Sequence, residues 1–297
     1  MKLFWLIFIL LVPFGATAQE PPRSFDAAKR IIKDVYHDRL ETFYCGCNYS
    51  WNQRGTGGVI DVASCGIESP GWKNREGRVE HEHIVPASRI GQGRACWAEG
   101  GREHCARTDP EFQLAYSDPH NLTPSVGSVN AARSNFMLGE LPDEHPYEFG
   151  ACNFKYTRGL AEPRPEIRGQ IARVKFYMAA KYGVELPEEQ QVMLLRWNEE
   201  YPVSDWELEK NSRILAITGY NNPFVTGQAV WRVQGVTIRG ESPTPSPIAI
   251  EVIGNRNSQI YHLPHCPHYS RVGERNRVVF KNEAEAVEAG YRRAGNC

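Results

Sequence analysis

Eight cysteines behind an export-type N-terminus constrain this chain more than any other feature. Lys2 is followed by an apolar run over 3–14 and then by Ala16-Thr17-Ala18, a small-x-small pattern before Gln19. The run is too short to span a bilayer comfortably, so residues 1–18 are expected to be a cleaved signal peptide. The mature chain then folds in the periplasm or the medium, with no stable membrane insertion. In that oxidising setting Cys45, Cys47, Cys65, Cys96, Cys105, Cys152, Cys266 and Cys297 default to disulfides. Cys96 and Cys105 flank a short loop and are expected to pair, as are Cys266 and Cys297 in the tail. Cys45, Cys47, Cys65 and Cys152 then pair among themselves, in an order that spacing does not choose.

The 297 residues suffice for one or two domains with a sizeable core. With 34 Lys+Arg against 35 Asp+Glu, a histone-like polycation is excluded. A nucleic-acid partner would have to be met by locally gathered cations, because the field of the whole molecule attracts no phosphate.

Along the chain, Phe25, Ile31, Ile32, Val35 and Tyr36 recur at helical spacing after a partial cap at Ser24. Residues 45–71 read as a loop-like, covalently stapled region, 78–85 as a short strand and 91–105 as a Gly/Cys-rich loop. A helix is expected over 166–182 with Gly183 as its C′ residue, and another from Pro187 through Trp197. Residues 236–250 are Pro/Ser-rich and read as a linker between a larger domain (19–235) and a small module (251–297).

The chemistry-bearing residues are dense between 78 and 135. Arg78-Val-Glu-His-Glu-His-Ile-Val-Pro86 is followed by Gly100-Gly-Arg102, His120-Asn121, and Asn130-Ala-Ala-Arg133-Ser-Asn135. His83 beside Glu82, with an Asn on a later helix, supplies a base and two oxygen ligands suited to a hard cation that keeps waters for phosphate to replace. A zincin reading fails, because His81-Glu82 is not completed to H-E-x-x-H. On a regular strand Glu82 and His83 point to opposite faces, so the backbone is expected to leave strand geometry near His83. Thr123-Pro124 reads as a helix cap and first-turn proline, placing Asn130 and Arg133 on one helical face.

These motifs, with Tyr44-Cys-Gly-Cys47, Cys96-Trp97 and Tyr201-Pro-Val-Ser-Asp-Trp-Glu207, resemble the bacterial endonuclease I group of periplasmic and secreted nonspecific nucleases. The resemblance spans about 25–224. It implies an α+β fold, a ββα-metal (His-Me finger) core with surrounding helices, and a small α+β module after it. It makes His83 the general base, Glu82 and Asn130 the metal ligands and Arg102 the contact to the scissile phosphate. The implied cofactor is one Mg²⁺, with Ca²⁺ or Mn²⁺ as alternatives, and the substrates are DNA and RNA. A monomer is expected. Independently, in-line hydrolysis of a phosphodiester needs a deprotonated water, which a neutral imidazole provides near pH 7. The transition-state charge needs a divalent ion and a guanidinium. One-metal hydrolysis leaving a 5′-phosphate follows.

Arg133 either approaches phosphate or pairs with a carboxylate, and His120-Asn121 reads as a structural hydrogen-bonding pair. His81 stands where the family carries a large aromatic and reads as a substituted packing position. Tyr116 stands where relatives often have a glutamate. The tail, with His262, Cys266 and Cys297, resembles the metal-binding module of adaptive-response DNA methyltransferases. Three zinc ligands are too few for a closed site, so a Cys266–Cys297 disulfide is favoured over zinc. Seven Lys+Arg against five Asp+Glu in the tail leave room for a modest role in holding DNA. The competing functional readings are a non-catalytic extracellular protein binding nucleic acid or cell-wall polymer, and a metal-dependent hydrolase of another phosphodiester.

Overall fold

A computed structural model describes residues 22–69, 71–233, 252–263, 266, 268–281 and 283–295. The expected signal peptide, the linker and Cys297 lie outside the described residues. The fold is α+β. No helix among the described residues is long and apolar enough to cross a membrane.

Helix α1 (Phe25–Val35) starts where the Ser24 hydroxyl accepts from the Ala27 N–H at 3.1 Å. It buries Ala28, Ile32 and Val35 against Leu122 and Ile214. The region expected to be all loop contains two short strands, β1 (Tyr49–Trp51) and β2 (Gly58–Ile60). It is stapled by Cys47–Cys65 and tied to the rest of the domain by Cys45–Cys152. After α2 (Lys73–Glu76) comes β3 (Arg78–His83), the strand that carries the histidines. Helices α3 (Ala87–Gly91), α4 (Ala95–Thr108) and α5 (Pro110–Tyr116) follow. The expected loop over 91–105 is thus largely helical, and its two glycines disguised it. At Gly101 (φ 63°) the helix breaks in a conformation open to glycine, and Cys96–Cys105 clamps the two halves together.

Strand β4 (Leu122–Val126) pairs antiparallel with β3, from Val79↔Val126 to His83↔Leu122. Helix α6 (Gly127–Arg133) leaves directly from its end. Pro124 is therefore a strand residue opposite His81, contrary to the helix-cap expectation. It is tolerated because β4 is the edge of the order β1-β2-β3-β4, where a missing N–H breaks no ladder. Two antiparallel strands feeding a helix give the ββα arrangement in which the chemistry-bearing residues sit.

Beyond it, β5 (Met137–Leu138), β6 (Lys155–Thr157) and β7 (Leu160–Glu162) form a small sheet in the order β5-β7-β6. Helix α7 (Arg168–Tyr182) ends at Gly183 (φ 65°), as expected, and α8 (Glu188–Glu200) follows Pro187. Helix α9 (Asp205–Thr218) was not foreseen, although Ser204-Asp-Trp-Glu207 is a capping-box signature; the Ser204 hydroxyl accepts from Glu207 N–H at 3.2 Å. Helix α7 is buried along nearly its whole length, and its Arg173 makes a bidentate, buried pair with Glu207 at 2.7 and 2.6 Å. The main core gathers Tyr44, Phe112, Val129, Phe149, Phe154 and Trp197.

The tail has its own sheet, β10-β8-β9-β11, from β8 (Val252–Asn255), β9 (Ile260–His262), β10 (Arg277–Phe280) and β11 (Arg292–Arg293). Helix α10 (Glu283–Glu288) and a small apolar cluster around Val252, Tyr261 and Phe280 complete it.

Candidate active site

A cleft of about 370 Å³ runs beside β3 and is lined by Glu80, Glu82, His83, Arg102, Asn130 and Arg133 among others. Strand geometry continues through His83, so Glu82 and His83 do point to opposite faces. The expected departure from the strand comes one residue later, at Ile84. Both side chains reach one cleft for a different reason. Strand β2 pairs only with Arg78 and Val79, which leaves the 80–83 edge of β3 uncovered opposite β4. Residues from both faces of β3 line the cleft beside that edge.

His83 is half-buried, and its Nε2 lies 2.8 Å from the Tyr116 carbonyl oxygen. A carbonyl only accepts, so Nε2 carries the proton and Nδ1 keeps the free lone pair. That carbonyl is available because Tyr116 ends α5, where helix carbonyls have no partner further along the helix. The Tyr116 ring stacks on the imidazole at 4.6 Å, and Phe25 packs on it at 4.9 Å. Burial, reinforced by Arg102, Arg133 and Lys29, pulls the His83 pKa down to about 4. The ring is neutral at physiological pH.

The turn after His83 is locked from two sides. Arg133, only 1% exposed, donates to the carbonyls of His83 (3.0 Å) and Ile84 (2.6 Å) and pairs with Glu82 at 3.2 Å. Asn121 clamps Val85, accepting from its N–H at 2.7 Å and donating to its carbonyl at 2.9 Å. Of the two readings of Arg133, pairing with a carboxylate is the one the geometry shows. Its guanidinium is engaged inside the protein.

Glu82 is 2% exposed, and the Tyr44 hydroxyl (2.7 Å) and Arg133 (3.2 Å) both meet it at Oε1. Burial pushes its carboxyl pKa up, opposed by Arg133 and the Tyr44 hydroxyl. Asn130 donates its Nδ2 to Glu80 Oε2 at 2.8 Å, which turns its Oδ1 away from that carboxylate. Glu80 is itself held by Arg75 and by Arg78. Sequence reasoning missed Glu80, although strand alternation puts it on the face of Glu82, two residues before it. Gly127 is required beside it, because a Cβ there would lie 2.7 Å from the Arg75 carbonyl oxygen and 2.8 Å from Glu80 Oε1.

Arg102 lines the cleft from the second half of α4, just past the Gly101 break, with its side chain 55% exposed. Among the described residues its side chain pairs with the adjacent carboxylate of Glu103, at 2.9 Å. His81 packs between Trp51 (5.5 Å, stacked) and Phe25 (6.4 Å), and burial drives its pKa down to about 3, as expected of a packing position.

A hard divalent cation fits this donor set. The Tyr44 and Arg133 contacts to Glu82 fall on Oε1 and leave Oε2 to one side, the Asn130 amide is oriented by Glu80, and both side chains line the same cleft. Among the described residues no cluster of three or more His, Cys, Asp or Glu groups is arranged for a metal. In the tail, His262 is buried on β9 with its ring 6.2 Å from that of His268. Cys266 is in a disulfide, which removes a thiolate from the expected zinc set, and Cys297 lies outside the described residues.

A family model described as Endonuclease I matches residues 26–228. The chain belongs to the endonuclease I family. It is 39% identical over 210 residues to an extracellular deoxyribonuclease of Aeromonas hydrophila, covering 69% of this chain and 90% of that protein. It is 37% identical over 232 residues to a periplasmic deoxyribonuclease of the same organism, covering 77% and 95%. An endonuclease-1 of Buchnera aphidicola is 39% identical over 204 residues, covering 68% and 80%. The endonuclease I match ends before the tail, whose first described strand begins at Val252.

Proposed function

We propose that this protein is an exported, divalent-metal-dependent, nonspecific endonuclease that hydrolyses DNA and RNA and leaves 5′-phosphates. It acts in the periplasm or the medium, as the names of its relatives describe for them, and as a monomer. Residues 19–235 carry the activity, and 251–297 form a separate module.

The observation that carries this is the His83 ring, tied through Nε2 to the Tyr116 carbonyl, in the cleft that Glu82, Asn130 and Arg102 also line. Nδ1 takes the proton from a water attacking the phosphorus in line with the departing 3′ oxygen. Stacking on Tyr116 and the backbone anchor hold the imidazole still, so the lone pair is aimed before substrate arrives. Arg102, exposed and on the far side of the glycine break, meets the phosphate oxygens and balances charge that grows in the transition state. Glu82 and Asn130 would hold one Mg²⁺, with Mn²⁺ or Ca²⁺ as alternatives, which would supply Lewis-acid charge to the phosphate and the leaving oxygen. Contacts confined to phosphate and sugar read no base edges, and hydrolysis that needs no 2′-OH proceeds on DNA and RNA alike.

The test is purified protein with supercoiled plasmid and with a single-stranded RNA. Both are cut in Mg²⁺, cutting stops in EDTA and resumes when Mg²⁺ is restored. Plasmid bound but left intact in every divalent metal supports a binding protein instead, and cutting undiminished by chelator removes the metal from the mechanism.

A further inference from the structure

A second pocket shares two walls, Pro86 and Arg133, with the catalytic cleft. Its remaining polar lining is Arg89, Lys175, Asn135 and Glu185. Lys175 is 6% exposed, and its ammonium donates to the Gln190 amide oxygen at 2.8 Å, with no carboxylate paired to it among the described residues. Arg89 stands exposed beside it, and its guanidinium has no hydrogen bond or ion pair among the described residues. Glu185, the one acid in the lining, is paired with neither cation. Arg133 Nε is buried without a partner. A buried ammonium answered only by a neutral amide is costly, and burial with the neighbouring Arg133 and Arg89 pulls the Lys175 pKa down to about 7. Such a pocket favours an anion.

We propose that Arg89 and Lys175 form a subsite for a backbone phosphate of the same nucleic-acid strand, flanking the scissile one. This rests on the nuclease reading, because it is the shared Pro86–Arg133 wall that puts the pocket beside a strand lying in the catalytic cleft. Arg89 captures the phosphate at the mouth, and Lys175 completes its charge from inside. Asn135 adds an amide that can donate to a phosphate oxygen. The subsite reads no base, so it sets the register of the backbone across the cleft without adding sequence preference.

The test is single-turnover cleavage in Mg²⁺, and binding by fluorescence anisotropy in EDTA, of a 12-nucleotide DNA in which single linkages are replaced in turn by neutral methylphosphonate. The wild-type protein should lose about ten- to a hundredfold at one linkage flanking the cut, the range of a charge-assisted contact. R89A and K175M should show a similar loss on the all-phosphate strand and no further loss at that linkage. Arg89 is exposed, so R89A decides the matter if K175M does not fold. Variants that keep wild-type rates and affinities, or that lose equally at every linkage, overturn the subsite. Failure of the wild-type protein to cut any of these strands strikes the nuclease reading instead, and the anisotropy arm then still reports whether the pocket holds phosphate.

Discussion

The Nε2 of His83 donates to the backbone carbonyl of Tyr116 across 2.8 Å, while the Tyr116 ring lies parallel to the imidazole, 9° out of plane. One residue thus fixes both the tautomer and the tilt of the base, through a main-chain oxygen that a change of side chain does not remove. A different side chain at 116 would therefore leave the anchor in place. This predicts that Tyr116→Phe and Tyr116→Leu retain activity in proportion to how well they pack on His83, with Phe close to the wild-type protein in kcat. Loss of activity in Tyr116→Phe would show that the hydroxyl, rather than the carbonyl and the ring, matters.

The pH dependence follows from the same environment. His83 titrates near 4 rather than its ordinary 6.5, so it is competent as a base above about pH 4 and is lost as pH falls through that value. The acid limb of kcat should lie near pH 4 to 5. Because the histidine pKa is lowered on folding, the native state also loses stability as pH falls from 6.5 towards 4, where the unfolded chain takes up the proton first. A limb at 6.5 or above contradicts the neutral, desolvated ring.

Glu80 accepts from the Asn130 amide, and in the proposed mechanism Asn130 is a metal ligand. Glu80→Ala should raise the Mg²⁺ concentration for half-activity by about 10- to 100-fold, the usual effect of losing a group that orients a ligand, while kcat at saturating metal recovers. Gly127→Ala should do the same in milder form, since its methyl would press on the Arg75 carbonyl oxygen and on Glu80 Oε1 together. An unchanged metal requirement in both variants would leave Glu80 with a purely structural pairing to Arg75.

Arg102 and Arg133 should separate cleanly. Arg133→Met leaves Glu82 buried without its cation and should cost about 3–5 kcal/mol in denaturant unfolding. Arg102→Ala, at an exposed site, should shift stability by no more than about 0.5 kcal/mol and yet lower kcat by roughly 10²–10³. Equal stability losses in the two variants would erase the distinction between the internal and the substrate-facing arginine.

Much of this was legible in the chain, and the gaps have physical causes. Periodicity found α1, α7 and α8 because each repeats apolar residues along a face or ends on a clear Gly or Pro. Cys96–Cys105 was legible from a nine-residue spacing. The pairs Cys45–Cys152 and Cys47–Cys65 are set by how distant segments dock, which spacing does not encode. Gly100-Gly101 hid α4, since two glycines weigh against helix locally while a disulfide restores it. Pro124 was misplaced because helix starts and edge strands both accept a proline, and only pairing with His81 decides between them. The Tyr116 carbonyl carried no signal at all, since every residue has one. Glu80 did carry a signal, its two-residue spacing from Glu82, and was passed over beside a stronger motif.

The most direct measurement is single-turnover cleavage of supercoiled plasmid by His83→Ala in saturating Mg²⁺, alongside its melting curve. If Nδ1 of His83 removes the proton from the attacking water, nicking falls by at least about 10²–10⁴, the usual span of general-base catalysis, while the melting temperature holds. Nicking at the wild-type rate by a variant that melts like the wild-type protein would contradict it.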